Sequence, residues 1–434
     1  MFYFIPYSRP DLHGLVGENY FSIFKRFGRT LCYWDILIFS LATLLLIKKL
    51  LRKKLTFVGI QYKEVNLYIF LMIFALINGF LHVSGSYLSF GPTEFLRPII
   101  VFMPFFYFIS MYLLTVNVIE SKLDLERIFN FIWVLTILLI IYSIYRFLGI
   151  LSGRIETMMM FGLPMILYDQ MSFLYYPIFL YTSLNLLKVR SKKKNFFVAF
   201  SLFLIILTST RRFNYLILIL GFFITIFLVY KVRDINLGLL LKKFSKVITF
   251  LLVIFLVIII VLPDFSVGVF DSIRSIYFIS EFGLSHGGMI RKTELQNMFL
   301  NMNKRVYSYF VGYGLGTRWE EIIDVPFDSM SHDKKEMERS INWWPGFHLP
   351  YISKLYIFGI VGTLFFLVIM LIFLKRSLNF IRLLRGDRYY QAQMIAITSY
   401  LLLLMFEAGN SFNPTDLIFC GLLYGLQISI VKYC

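Results

Sequence analysis

Charge is what the chain has least of. Only 16% of its 434 residues are Asp, Glu, Lys or Arg, against about a quarter in soluble domains. With 59% apolar residues and a mean hydropathy of +0.74, that shortage excludes an ordinary soluble fold and a disordered polar chain. Acidic residues are the scarcer sign, 25 against 43 basic ones. They are scattered, so no carboxylate set suggests calcium. Cysteine occurs three times, at Cys32, Cys420 and Cys434 in different segments, so no disulfide framework follows. No Cys/His group has zinc spacing, and no metal or cofactor is expected. Met1 to Pro6 lack a basic n-region and a cleavage site, so no signal peptide is expected there. Internal repeats and low-complexity tracts are also missing.

What is there is a succession of apolar runs. A helix that crosses a bilayer needs about 20 apolar residues. The runs predict an all-α polytopic membrane protein with about eleven spans, near 33–50, 65–83, 97–116, 128–147, 170–187, 196–210, 213–230, 247–263, 351–374, 392–407 and 415–431. The net charge of +18 would suit nucleic acid, but most of the basic residues flank these runs and set orientation instead. No nucleic-acid partner is expected. Lys48, Lys49, Arg52, Lys53 and Lys54 follow the first span, and Lys188, Arg190, Lys192, Lys193 and Lys194 follow the fifth. Lys231, Arg233, Lys242, Lys243 and Lys246 follow the seventh, and Lys375, Arg376, Arg382, Arg385 and Arg388 the ninth. All four loops fall on one side, the cytoplasm. Lys25, Arg26 and Arg29 then face outward, against the rule.

One long polar segment breaks the rhythm. The expected organisation is spans one to eight over 1–263, a large outer loop with short helices over 264–350, and spans nine to eleven over 351–434. The loop's aromatic content argues for order. Within it 288–304 reads as an amphipathic helix, with Leu295, Met298, Phe299 and Met302 at three- and four-residue spacing and Arg291 and Glu294 near its start.

Several residues have the character for chemistry. Thr208-Ser209-Thr210-Arg211-Arg212-Phe213 interrupts the apolar stretch from Phe196 to Tyr230. An arginine at mid-bilayer costs about 2.5–3.5 kcal/mol on insertion scales, so the chain must turn here with both arginines near the outer surface. Two readings stand: a turn whose arginines meet lipid phosphates, or an anion site facing a cavity. His348, in Trp343-Trp344-Pro345-Gly346-Phe347-His348, sits at the mouth of span nine as a structural interfacial histidine or a proton-transfer group. Gly312-Tyr313-Gly314-Leu315-Gly316 precedes Arg318; it lacks the dinucleotide spacing and suits a tight turn or a close backbone approach to a ligand. Glu94 and Arg97, three apart at a span start, read as a local ion pair.

Taken in order, Ser209-Thr210-Arg211, Arg291 running into Gly312-Tyr313-Gly314-Leu315-Gly316, and His348 followed by Gly359-Ile360-Val361-Gly362 resemble the O-antigen polymerase and O-antigen ligase superfamily over about residues 130–375. Arg212 stands where that family often has a small residue, and Leu349-Pro350 follow His348 where a polar residue is common. The resemblance implies glycosyl transfer at the outer face of the bacterial inner membrane, from an undecaprenyl-pyrophosphate-linked oligosaccharide onto a lipid-linked repeat unit. It implies Arg211, Arg291 and His348 as catalytic, and Arg154, Arg212, Glu294, Gly312, Gly314 and Arg318 as substrate-binding. Membrane lipid and a polysaccharide chain-length regulator are the further partners implied. A ligase acting on lipid A–core, a capsule polymerase and a flippase or transporter of lipid-linked sugars are the competing expectations. A transporter would favour two related halves and midplane binding groups; the polar residues here gather at one face instead.

Overall fold

Long apolar runs with charges held at their ends can satisfy their backbone in a bilayer only as helices, and helices account for 88% of the residues described. The computed structural model describes residues 62–90, 97–152, 175–189, 198–202, 212–233, 286–323, 350–407 and 414–434, with isolated helical or strand residues between 26 and 51, at 159–164, at 238, at 279–284 and at 343–344. Its principal helices are α1 (Lys63–Phe90), α2 (Arg97–Val118), α3 (Lys122–Leu151), α4 (Tyr175–Leu186), α5 (Arg212–Arg233), α6 (His286–Asn303), α7 (Ser308–Val311), α8 (Pro350–Leu383), α9 (Arg388–Glu407) and α10 (Pro414–Tyr433). Seven of the expected spans coincide with α1 to α5, α9 and α10, and that near 351–374 with a longer α8. The spans at 33–50 and 196–210 are described only in fragments, and that at 247–263 lies outside the described residues.

Among the described residues, three helical segments are long and apolar enough to cross a membrane: Lys63–His82, Lys122–Tyr145 and Ile352–Gly386. They make this chain a membrane protein. On α1 the side chains of Phe70, Ile77 and Leu81 are exposed, and on α8 those of Ile360, Val361, Leu364, Leu367, Val368 and Leu371. Such large apolar surfaces suit hydrocarbon rather than water.

The core is built around α9. Every residue from 390 to 404 is buried, as expected of a helix that is apolar on most sides. It packs against α4, α5, α8 and α10. Several of its polar residues bond within the bundle: Thr225 donates to Ser399 Oγ at 2.9 Å, and Gln391 Nε2 to the Ile381 carbonyl at 2.9 Å. α10 lies along α2. Gly421 and Gly425, one turn apart, let it approach the α2 backbone, where a β-carbon would overlap the Phe108 carbonyl or the Thr115 side chain. Small residues play this part wherever membrane helices pack closely.

A buried ionic network closes one end of the bundle. Arg376 of α8 pairs with Glu64 of α1, and Tyr424 of α10 donates to the same carboxylate oxygen at 2.9 Å. Arg376 Nη2 donates to Gln427 Oε1 at 3.0 Å, and Gln427 Nε2 donates onward to Ser377 and Thr398. The guanidinium lies 4.7 Å from the ring centres of Tyr62 and Tyr424. The network joins α1, α8, α9 and α10 with both charges shielded from solvent. The opposite end of the bundle carries α6, α7 and the turn that follows them.

Candidate functional site

α6 forms over His286–Asn303, close to the 288–304 that periodicity predicts, but its buried face differs from the apolar stripe. Met298 and Met302 are fully buried, whereas Leu295 and Phe299 are exposed. Glu294, Asn297 and Asn301 share the inner face instead. The physical reason lies in hydrogen bonding. Asn297 Oδ1 accepts from the backbone N–H groups of Ile322 and Ile323 at 2.8 Å each, and its Nδ2 donates to the Ile323 carbonyl at 2.7 Å. Asn301 Oδ1 accepts from Glu320 N at 3.0 Å, and its Nδ2 donates to the Glu320 carbonyl at 2.7 Å. The two amides act as a strand would toward residues 320–323, so burying them removes an otherwise unmet backbone demand. Trp319, 1% exposed, packs in the same cluster with Met298, Met302, Ile352 and Tyr356. Trp319–Glu320 also pairs antiparallel with Trp343–Trp344.

The glycine-rich turn enters the bundle itself. Gly312, Gly314 and Gly316 all have positive φ, at 72°, 84° and 76°. In α8, Gly359 adopts φ 64° and ψ −174°, which breaks the helix. A break strands carbonyl groups upstream of it, and in a membrane they need partners. The turn supplies them: Tyr313 N donates to the Tyr356 carbonyl at 2.7 Å and Gly314 N to that of Ile357 at 2.9 Å. On the other side Leu315 N donates to the Ala75 carbonyl of α1 at 2.8 Å. Asn78 Nδ2 donates to the carbonyls of Val311 and Gly312 at 3.0 and 2.9 Å. The close backbone approach expected at these glycines is therefore made to α1, α2 and α8, whose backbone fills the space beside Gly312, Gly314 and Gly316.

Aromatic and imidazole groups complete this end. Tyr313 stacks on Tyr356, ring centres 4.7 Å apart, and its hydroxyl donates to the Asn301 carbonyl at 2.6 Å. Burial pushes the Tyr313 phenol up, so it remains a donor at neutral pH. His82, half-buried on α1, places Nδ1 2.8 Å from the Asn78 carbonyl. A carbonyl can only accept, so Nδ1 carries the proton and Nε2 accepts from the Tyr307 hydroxyl at 3.2 Å.

The candidate residues are placed unevenly. Glu294 is 1% exposed on the inner face of α6. Arg318 is half-buried next to Trp319, and its carbonyl accepts from Tyr356 at 3.0 Å. Arg212 opens α5, and residues 203–211, where the turn is expected, lie outside the described residues. Arg385 Nη2 donates to the Val232 carbonyl at 2.9 Å, fixing the far end of α5 beside the end of α8. A helix of 22 residues spans about 33 Å at 1.5 Å per residue, so Arg212 stands at the end that carries α6 and the glycine turn. Arg154, Arg211 and His348 lie outside the described residues, as do the side chains of Arg212 and Arg291. Among the described residues no group of three or more His, Cys, Asp or Glu is positioned to hold a metal ion.

Three participants escape the sequence reading: Asn78, His82 and Lys354. Lys354 lies in the first turns of α8, is 5% exposed, and donates to the Met405 carbonyl of α9. A lysine near the start of a predicted span reads as an interfacial anchor, and only packing shows that it turns inward.

Neither models of known protein families nor curated proteins give a match to this chain.

Proposed function

We propose that the chain is a polyprenyl-pyrophosphate-dependent glycosyltransferase, an O-antigen or related surface-polysaccharide polymerase working at the outer face of the bacterial inner membrane. The observation that carries the reading is the shared location of Arg212 at the start of α5 and of the docked segment 286–323, both at one end of the bundle. The donor's lipid must stay in the bilayer while its pyrophosphate sits at the surface, so a site at one end of a spanning bundle suits it.

The chemistry uses the candidate residues that the resemblance implies. The bond between the anomeric carbon and the pyrophosphate oxygen breaks, and polyprenyl pyrophosphate departs with the electron pair. A hydroxyl oxygen of the incoming lipid-linked repeat unit bonds to the anomeric carbon, and its proton passes to a base. Arg211, Arg212 and Arg291 meet the charge that builds on the leaving group, as fixed positive groups do in other transfers. His348 and Glu294 are the candidate bases. Glu294 is buried on the inner face of α6, and the seat of α6 on Trp319 and Tyr356 holds it in place.

The test is transfer in proteoliposomes that hold the purified protein and a polyprenyl-pyrophosphate-linked oligosaccharide. The expected product is a ladder of glycans with several repeats on the polyprenyl carrier. Transfer only when lipid A–core is supplied makes the chain a ligase. Movement of the intact donor across the bilayer with no new glycosidic bond makes it a transporter.

A further inference from the structure

The glycine turn reaches deeper than a surface loop would. Lys63 opens α1 and Lys375 lies in α8. Both are exposed, and the Glu64–Arg376 pair beside them puts them at one level. Gly79, against which the turn packs, is sixteen residues beyond Lys63. Gly359 is sixteen residues before Lys375. Sixteen helical residues rise about 24 Å and the hydrocarbon core is about 30 Å thick, so both helices place the turn about 6 Å inside the outer boundary. Tilt of the helices lowers it further. Backbone at that depth must find its partners within the protein. From Ser308 to Leu315 each N–H donates to a carbonyl of α1, of α8 or of residues 305–308, and the carbonyls of Val311 and Gly312 accept from Asn78. A loop in water has no need of so complete a set.

The side chains fit the same depth. The Phe310 carbonyl lies beside Gly359, where a β-carbon would fall 2.4 Å from it, and the Phe310 side chain is 56% exposed. Ile360 and Val361, the residues after Gly359, are exposed too, so the apolar surface of α8 continues onto Phe310. Tyr307 is exposed and meets His82, the outer end of the apolar part of α1. Lys304 and Arg305, both exposed, come just before. Basic residues, then an aromatic ring with a polar tip, then an apolar ring is the order in which side chains enter a bilayer. We propose that residues 306–315 form a re-entrant element of the outer leaflet, with Phe310 against the lipid acyl chains, the Tyr307 hydroxyl at the headgroup boundary and Lys304 and Arg305 among the phosphates. The long polar segment is then not one continuous outer loop. It dips between α1 and α8 and returns at Gly316, beside Arg97 and Pro98 at the start of α2, which holds α6 and residues 317–323 against the bilayer surface. The inference uses the thickness of the bilayer and no part of the proposed reaction.

The experiment uses the full chain in nanodiscs of phosphatidylethanolamine and phosphatidylglycerol, with Cys32, Cys420 and Cys434 replaced by alanine. A nitroxide is attached at Phe310→Cys, at Val361→Cys as the lipid-facing reference and at Gly386→Cys as the aqueous one. Its relaxation is measured with oxygen, which concentrates in hydrocarbon, and with a water-soluble nickel chelate. The ratio of oxygen to nickel collisions at Phe310→Cys should match that at Val361→Cys and exceed that at Gly386→Cys several-fold. A ratio like that of Gly386→Cys puts Phe310 in water. Low access to both relaxants puts protein over it, another segment of this chain or a second copy. Either result overturns the proposal. A second variant needs no label and keeps the native cysteines. A carboxylate inside the leaflet is costly, so Phe310→Glu should lower the thermal midpoint in the same nanodiscs, and Phe310→Leu should keep it. An unchanged midpoint in Phe310→Glu also overturns the proposal.

Discussion

Gly312 and Gly359 face each other backbone to backbone, so that a β-carbon on either would fall 2.5 Å from the amide nitrogen of the other. Both hold nearly the same conformation, φ 72° and ψ −174° at Gly312 and φ 64° and ψ −174° at Gly359. Only glycine visits that region without strain. The crossing lets the glycine turn supply the hydrogen bonds that a broken membrane helix lacks.

Alanine at either position should therefore be costly twice over. Backbone strain contributes about 1–3 kcal/mol, and the overlap forces the turn out of its seat between α1 and α8. Gly312→Ala and Gly359→Ala should each lower the thermal midpoint in detergent and expose residues 308–316 to proteases. Gly386→Ala is the control, since nothing lies within 4 Å of a β-carbon there, and it should leave the midpoint unchanged. A native midpoint and native protease resistance in Gly312→Ala would remove the crossing from the account of the fold.

The Glu64–Arg376 pair makes a second prediction. Removing one partner of a buried pair costs about 3–5 kcal/mol, because the other charge stays buried uncompensated. Glu64→Met and Arg376→Met should each destabilise the protein on that scale. The double substitution should recover much of the loss. Thermal unfolding of the four proteins gives the coupling directly, and additive losses would show that the charges act separately.

Local pattern and long-range packing divide what was legible. The apolar runs placed α1 to α5 and α8 to α10, because a bilayer-length run has few alternatives to a helix. The start of α5 at Arg212 was legible for the same reason, an arginine being too costly to bury in lipid. The inner face of α6 was not, since Asn297 and Asn301 are buried by backbone bonds to residues 320–323 that no local periodicity encodes. Nor was the use of the glycine motif. Its spacing shows that the backbone must come close to something, but the partners Gly79 and Gly359 lie 233 and 47 residues away from Gly312 in the chain. Lys354 and His82 were missed because each looks like an ordinary residue at a span end, and only packing turns Lys354 toward α9 and His82 toward Tyr307 and Tyr313.

Asn297 offers a direct check on the α6 seat. Alanine there removes one acceptor that serves two N–H groups and one donor to a carbonyl. Each buried backbone group left unmet costs about 1–3 kcal/mol. Asn297→Ala should destabilise the protein and speed amide exchange at Ile322 and Ile323. Asn297→Asp keeps the acceptor and loses the donor, so it should restore slow exchange at those two amides without restoring full stability. Unchanged exchange in Asn297→Ala would mean that solvent already satisfies residues 320–323.

Arg211 decides whether the segment before α5 is a reaction site or an anchor. If it meets the leaving pyrophosphate, Arg211→Ala should lower polymer formation by about 10²–10³-fold, the scale of one lost transition-state donor, with the protein's abundance and thermal midpoint unchanged. Arg211→Lys should restore part of the rate, since a lysine keeps the charge but loses the two-pronged contact that a guanidinium makes with phosphate oxygens. An anchor resting on lipid headgroups gives a different pattern. Lysine then serves as well as arginine, and alanine shifts stability or membrane insertion before it touches the rate. Polymer length distributions and unfolding curves from the same membrane preparations separate the two. Full activity in Arg211→Ala would return the motif to a turn among lipid phosphates, leaving Arg212 and Arg291 to carry the charge or the polymerase reading to fall.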